Sequence, residues 1–155
     1  YNYRLKSLTL LASIFKRSED QQKIVNDRFN LIKKNLKLSS EALKRWFSDE
    51  YLEKNPRTYE KISSILKRND IKNFLKVYEL FVFHKNNEDF EKIKVNTLVM
   101  TGEDDVGSTV DMSKKLCKVI NNSQLKVIKN GKHLCGIECA DDVNIAIKNF
   151  IEKND

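Results

Sequence analysis

Residues 94–155 alternate two patterns in a fixed order, and that order limits the fold more than any other feature of the chain. NTLVMTG, ending at Gly102, and QLKVIKN, ending at Asn130, are short runs of β-strand composition. VDMSKKLCKVI between them, and ADDVNIAIKNFIEK after them, repeat apolar residues at helical spacing. The loops EDDVGST and GKHLCGIE lead from each strand into the next helix. Strands that alternate with helices predict a parallel sheet with right-handed crossovers, an α/β fold.

Upstream, RLKSLTLLAS reads as one more strand, short and largely apolar through Leu5, Leu8, Leu10 and Leu11, as suits a sheet covered on both faces. Between it and Lys94 the pattern is helical. In DQQKIVNDRFNLIKKNL, Ile24, Val25, Phe29, Ile32 and Leu36 fall close to a 3.6-residue period. Ser39 and Ser40 are good N-caps for SSEALKRWF, Pro56 suits a first helical turn, and Asp70 suits the cap of IKNFLKVYELFVF, where Ile71, Phe74, Tyr78 and Phe81 share a face. The expected order is one strand, about four helices, then two strand–helix units, with no internal repeat and no low-complexity linker.

The net charge of +7 raises nucleic-acid binding, but the lysines are spread along the chain among Glu and Asp, in runs no longer than two. A phosphate-tracking groove needs them clustered, so no nucleic-acid partner is expected. No apolar run approaches the roughly 18 residues of a membrane span, and YNYRLKSL lacks the ordered regions of a signal peptide. Three cysteines, Cys117, Cys135 and Cys139, fit reduced thiols in a cytoplasm.

Ligand and catalytic sites of open parallel sheets lie beyond the carboxyl ends of the strands. Two loops have that place here. One carries Glu103, Asp104 and Asp105; the other carries His133. A carboxylate that meets an imidazole fixes its tautomer and stabilises the imidazolium, which leaves the second ring nitrogen as a general base. Spacing alone leaves the three carboxylates in competition. His84 ends a helix, where a cation suits the dipole, and is given no chemistry. The cluster His133, Cys135 and Cys139 has zinc-like spacing but lacks an obvious fourth ligand, so no metal is expected. Cys135 beside His133 reads as a small buried thiol rather than a reactive one.

NTLVMTGEDDVGSTVDMSKKL followed by LKVIKNGKHLCGIE resembles the C-terminal part of the α/β-hydrolase family, in the lid-bearing branch of 3-oxoadipate enol-lactonases and small esterases. In that branch the acid lies three residues after the glycine that closes the seventh strand; counted from Gly102, this is Asp105. The histidine follows the eighth strand in a turn such as Gly131, Lys132 and His133. RLKSLTLLAS resembles the sixth strand, and RWFSDEYLEKNP a recurring lid segment. Asn96 and Cys139 depart from the family, which often has Pro at these positions.

The resemblance implies residues 1–17 as the sixth core strand and its exit, 18–92 as a helical lid, and 93–155 as the C-terminal core with parallel strands seven and eight. It implies catalytic Asp105 and His133, a substrate-facing Trp46, a small ester or lactone as substrate, and no cofactor. The Gly-x-Ser-x-Gly elbow of the family is absent, and family order puts it upstream. The chain then reads as a C-terminal fragment whose partner is the missing N-terminal half of the same protein, and Tyr1 as first residue fits that. The first strand without that half would be an unpaired apolar edge, and the chain alone poorly stable. Two other readings stay open: the same fold with an Asp nucleophile (dehalogenase-like) or a Cys, and an inert basic helical binding module.

Overall fold

In the computed structural model, which describes residues 4–35, 41–84 and 89–154, three strands form one parallel sheet in the order β1–β2–β3. β1 is Ser7–Leu11, β2 is Asn96–Gly102 and β3 is Ser123–Ile128. β1 pairs with β2 from Ser7 opposite Asn96 to Leu11 opposite Met100, and β2 pairs with β3 from Thr97 opposite Ser123 to Gly102 opposite Ile128. β2 is the central strand, and every residue from Thr97 to Gly102 is buried. Its uninterrupted apolar run follows from that, because both of its faces are covered.

Among the described residues the α-helices are α1 (Glu19–Asn35), α2 (Glu41–Trp46), α3 (Asp49–Lys54), α4 (Pro56–Arg68), α5 (Ile71–Phe83), α6 (Val110–Val119), α7 (Cys135–Glu138) and α8 (Ala140–Asn154). Two compact units divide them. One contains 1–15, 45–48 and 87–155; the other contains 16–44 and 49–86.

In the sheet unit, β2 sends alternate side chains to opposite faces, as strand geometry requires. Leu98 and Met100 pack with Ile128, Cys135 and, from α8, Val143 and Phe150. Val99 packs with Phe15 and, from the α6 side, Met112, Leu116 and Ile120. α6 starts where Thr109 accepts the Met112 N–H on its hydroxyl, and carries Asp111 in its first turn and Lys118 in its last, both favourable to the dipole. β1 is bonded along one edge only among the described residues.

In the helical unit, α4 begins at Pro56, and α5 is capped by Asp70, which accepts from the N–H groups of Lys72 and Asn73. Phe74, Tyr78 and Phe81 stack in sequence along α5. Phe29 of α1 meets Tyr78 and, edge to face, Phe83. The Arg17 guanidinium lies 4.5 Å over the Phe81 ring and donates to the carbonyl oxygens of Phe81 and Val82 at the end of α5. Burial lowers the Arg17 pKa from its ordinary value.

Three local expectations meet a different structure. Ile24 is 58% exposed, so α1 buries Phe29 and Ile32 and not the full predicted stripe. The expected block of about four helices holds five among the described residues, because α3, parted from α2 by residues 47–48 and from α4 by Asn55, has only six residues and is too short to show a period. Residues 135–138 of the expected GKHLCGIE loop form one helical turn. Leu36, Ser39 and Ser40 lie outside the described residues.

Candidate active site

The carboxyl ends of β2 and β3 are tied together before any side chain of the site is placed. The Glu103 N–H donates to the Ile128 carbonyl oxygen at 2.8 Å, and the Asp104 N–H to that of Gly131 at 3.0 Å. Gly102 makes this approach accessible: a Cβ there would lie 2.1 Å from the Gly131 oxygen. Asn130 turns the chain out of β3 with φ of 55°, a left-handed conformation that Asn tolerates better than most residues. The turn delivers His133 beside the loop that follows β2.

The three carboxylates of that loop have separate surroundings. Glu103 accepts the Asn130 N–H at 3.3 Å and so braces the turn. Asp104 is exposed. Asp105 is buried, with its side chain fully inaccessible. Its Oδ1 accepts the N–H groups of Gly107 at 2.8 Å and Ser108 at 3.0 Å, and its Oδ2 lies 2.9 Å from His133 Nδ1. The carboxylate oxygen accepts, so Nδ1 carries the hydrogen of this bond. The two amide bonds fix the plane of the carboxylate, and the carboxylate then fixes the imidazole. The His133 side chain keeps about a third of its surface, 35%, open. Among the described residues its Nε2 has no hydrogen-bond partner. The pair therefore offers an oriented imidazole, partly open to solvent and backed by a buried carboxylate.

The loop that carries His133 is held from both sides. The Leu134 N–H donates to the Trp46 carbonyl oxygen at 2.9 Å. The Glu138 carboxylate accepts the Lys132 N–H at 3.1 Å and the Ser48 N–H at 2.8 Å. Trp46 thus meets this loop through its backbone, and its side chain is half-buried. Glu138 was not foreseen in the sequence, because its position depends on the short turn of α7. The only available signal was a carboxylate one turn beyond His133.

Cys135 is fully buried, and burial, with smaller contributions from Cys139 and Asp105, pushes its thiol up to about 11. Burial also raises the Cys139 thiol, with Glu138 and Asp142 adding to the effect. Both thiols stay protonated at neutral pH, which is the unreactive form. Among the described residues no three His, Cys, Asp or Glu side chains gather to hold a metal ion. His84 lies at the C-terminal end of α5 in the helical unit. There, with Arg17, Lys23 and Asn26, it lines a recess of about 760 Å³ that contains neither Asp105 nor His133.

This order of elements and placement of loops is shared with proteins of known structure. A thermophilic esterase from Thermogutta terrifontis superposes with a TM-score of 0.79 at 20% identity, over 99% of this chain and 58% of that one. An alpha/beta hydrolase from a Medee basin deep-sea metagenome superposes with a TM-score of 0.76 at 18% identity, over 93% of this chain and 55% of that one. The chain has the fold of the C-terminal part of an α/β-hydrolase.

In sequence, this hydrolase-fold chain is 23% identical over 150 residues to the (E)-2-((N-methylformamido)methylene)succinate hydrolase of Acinetobacter baylyi, covering 96% of itself and 56% of the relative. It is 24% identical over 116 residues to 3-oxoadipate enol-lactonase 2 of the same organism, covering 75% of itself and 43% of the relative. The chain spans about half the length of the curated relatives it matches. No family model matches it. Its relatives are hydrolases, among them an enol-lactonase of the branch that NTLVMTGEDDVGSTVDMSKKL and LKVIKNGKHLCGIE resemble. Among the described residues no helix is long and apolar enough to cross a membrane.

Proposed function

We propose that these residues supply the acid and base of a hydrolase that acts on an ester, a lactone or a related acyl bond. The observation that carries the reading is the 2.9 Å contact between the buried Asp105 carboxylate and Nδ1 of the accessible His133. The nucleophile, a serine, lies upstream of Tyr1 in the full-length protein. His133 Nε2 takes the serine proton as the hydroxyl attacks the acyl carbon, and returns it to the leaving group. Asp105 keeps the Nδ1–H in place and stabilises the imidazolium while the proton is held. Water then repeats the cycle on the acyl-enzyme. The chemistry needs no cofactor. In this reading the helical unit is the lid, and Trp46 faces the substrate beside the His133 loop. A small acyl substrate suits the relatives' printed activities, and a partly apolar one suits the ring of Trp46.

The test uses the full-length protein and p-nitrophenyl acetate as probe. His133→Ala is expected to lower kcat by about 10⁴-fold or more, the scale of loss for a member of a triad. Turnover close to wild type would refute the assignment.

A further inference from the structure

We propose that Glu138 is a positioning residue for His133, acting through the backbone on both sides of it. The inference rests on the reading of Asp105 and His133 as a hydrolytic pair. Both sequence neighbours of His133 have their N–H groups held by fixed acceptors. Lys132 donates to Glu138 Oε2 at 3.1 Å, and Leu134 donates to the Trp46 carbonyl oxygen at 2.9 Å. The second oxygen of Glu138 accepts the Ser48 N–H at 2.8 Å. Residues 46–48 and 132–134 are thus joined in a closed ring, with the Glu138 side chain as one link. Phe47, between the two contributors on the far side, is fully buried and fixes that side.

The ring needs a carboxylate of this length. An ionised carboxylate accepts on both oxygens, and bonds to a charged acceptor are the stronger kind. Gln would keep one acceptor and turn an NH₂ group toward the other N–H. Asp is one methylene short of the span. α7, with four residues, has no stability of its own. Its tie to Ser48 and Lys132 therefore works with the Leu134 bond to set where the His133 loop sits. Asp105 is already fixed by the Gly107 and Ser108 amides, so the histidine is the partner that can drift. A drift of well under 1 Å separates Nδ1 from Oδ2.

The experiment compares Glu138→Gln, Glu138→Asp and His133→Ala in the full-length protein. Turnover of p-nitrophenyl acetate is normalised to the folded fraction from near-UV circular dichroism. The low-field proton resonance of the His133 Nδ1–H is followed by NMR without substrate. The account expects kcat per folded molecule to fall about ten- to a hundred-fold in E138Q, with KM near wild type and the low-field proton shifted or broadened. If E138Q fails to fold, E138D, which keeps the charge, is read by the same two measurements and is expected to show the same loss. Normal turnover per folded molecule and an unchanged low-field proton would overturn the proposal and leave Glu138 a stabilising tie alone. Turnover retained in H133A would overturn the hydrolytic reading itself, so the two failures are separable.

Discussion

Replacing Gly102 by Ala should break the site without touching either of its titratable side chains. The added Cβ would lie 2.1 Å from the Gly131 oxygen and 2.5 Å from both the Gly131 carbonyl carbon and the Lys132 oxygen. All three are backbone atoms, so no rotamer change relieves the clash. To reach an ordinary contact of 3.4 Å, the turn after β3 must withdraw by about 1.3 Å, roughly the size at which misplaced catalytic groups lose activity. His133 moves with that turn, whereas Asp105 stays with β2, and their 2.9 Å contact opens. The Asp104 to Gly131 backbone bond is strained as well. Overpacking of this kind costs about 1–3 kcal/mol. The assay is urea unfolding combined with the His133 Nδ1–H resonance. Gly136→Ala is the control, because its Cβ meets only the flexible end of Leu11 at 3.3 Å. G102A is expected to lose both stability and the resonance, and G136A neither. Wild-type stability in G102A, with the resonance intact, would refute the argument.

Removing the α5 cap with Asp70→Ala is expected to cost about 1 kcal/mol in urea unfolding, since two N–H groups lose their acceptor. The Cys135 thiol, raised from 9.0 to about 11 by burial, favours the folded state below pH 9. That contribution is lost as the pH rises from 9 through 11, because the unfolded thiol ionises first; Cys135→Ala should lose less stability than wild type over the same range. Among the described residues the outer edge of β1 is unpaired beside Leu8 and Leu10, so these 155 residues expressed alone are expected to self-associate in analytical ultracentrifugation, against which a cooperatively melting monomer would count.

The sheet was legible because its strands carry their signal locally. Thr97–Met100 is an unbroken run that only a strand covered on both faces needs, and Asn130–Gly131 is a turn pair with few other uses. Asp70 and Pro56 announced their helices by position alone. The choice among Glu103, Asp104 and Asp105 was not legible from spacing, since all three fit the loop. It required the resemblance, and the geometry then puts Asp105 on His133 and Glu103 on Asn130. Glu138 and α7 were invisible because a four-residue helix has no period and one of the two Glu138 hydrogen bonds runs to Ser48, 90 positions away. For the same reason nothing local shows that 45–48 pack with the sheet unit and not with the helices on either side. Phe47 looks like one more aromatic of the helical block until its surroundings are known.

In the proposed hydrolase, Asp105 and His133 serve a nucleophile that lies upstream of Tyr1. The most direct test treats the full-length protein with a fluorophosphonate and maps the modified residue by mass spectrometry, in wild type and in His133→Ala. The account predicts a single modified serine upstream of Tyr1, with modification lost in the variant. An adduct on any residue numbered here, or none in a protein that hydrolyses p-nitrophenyl acetate, would contradict it.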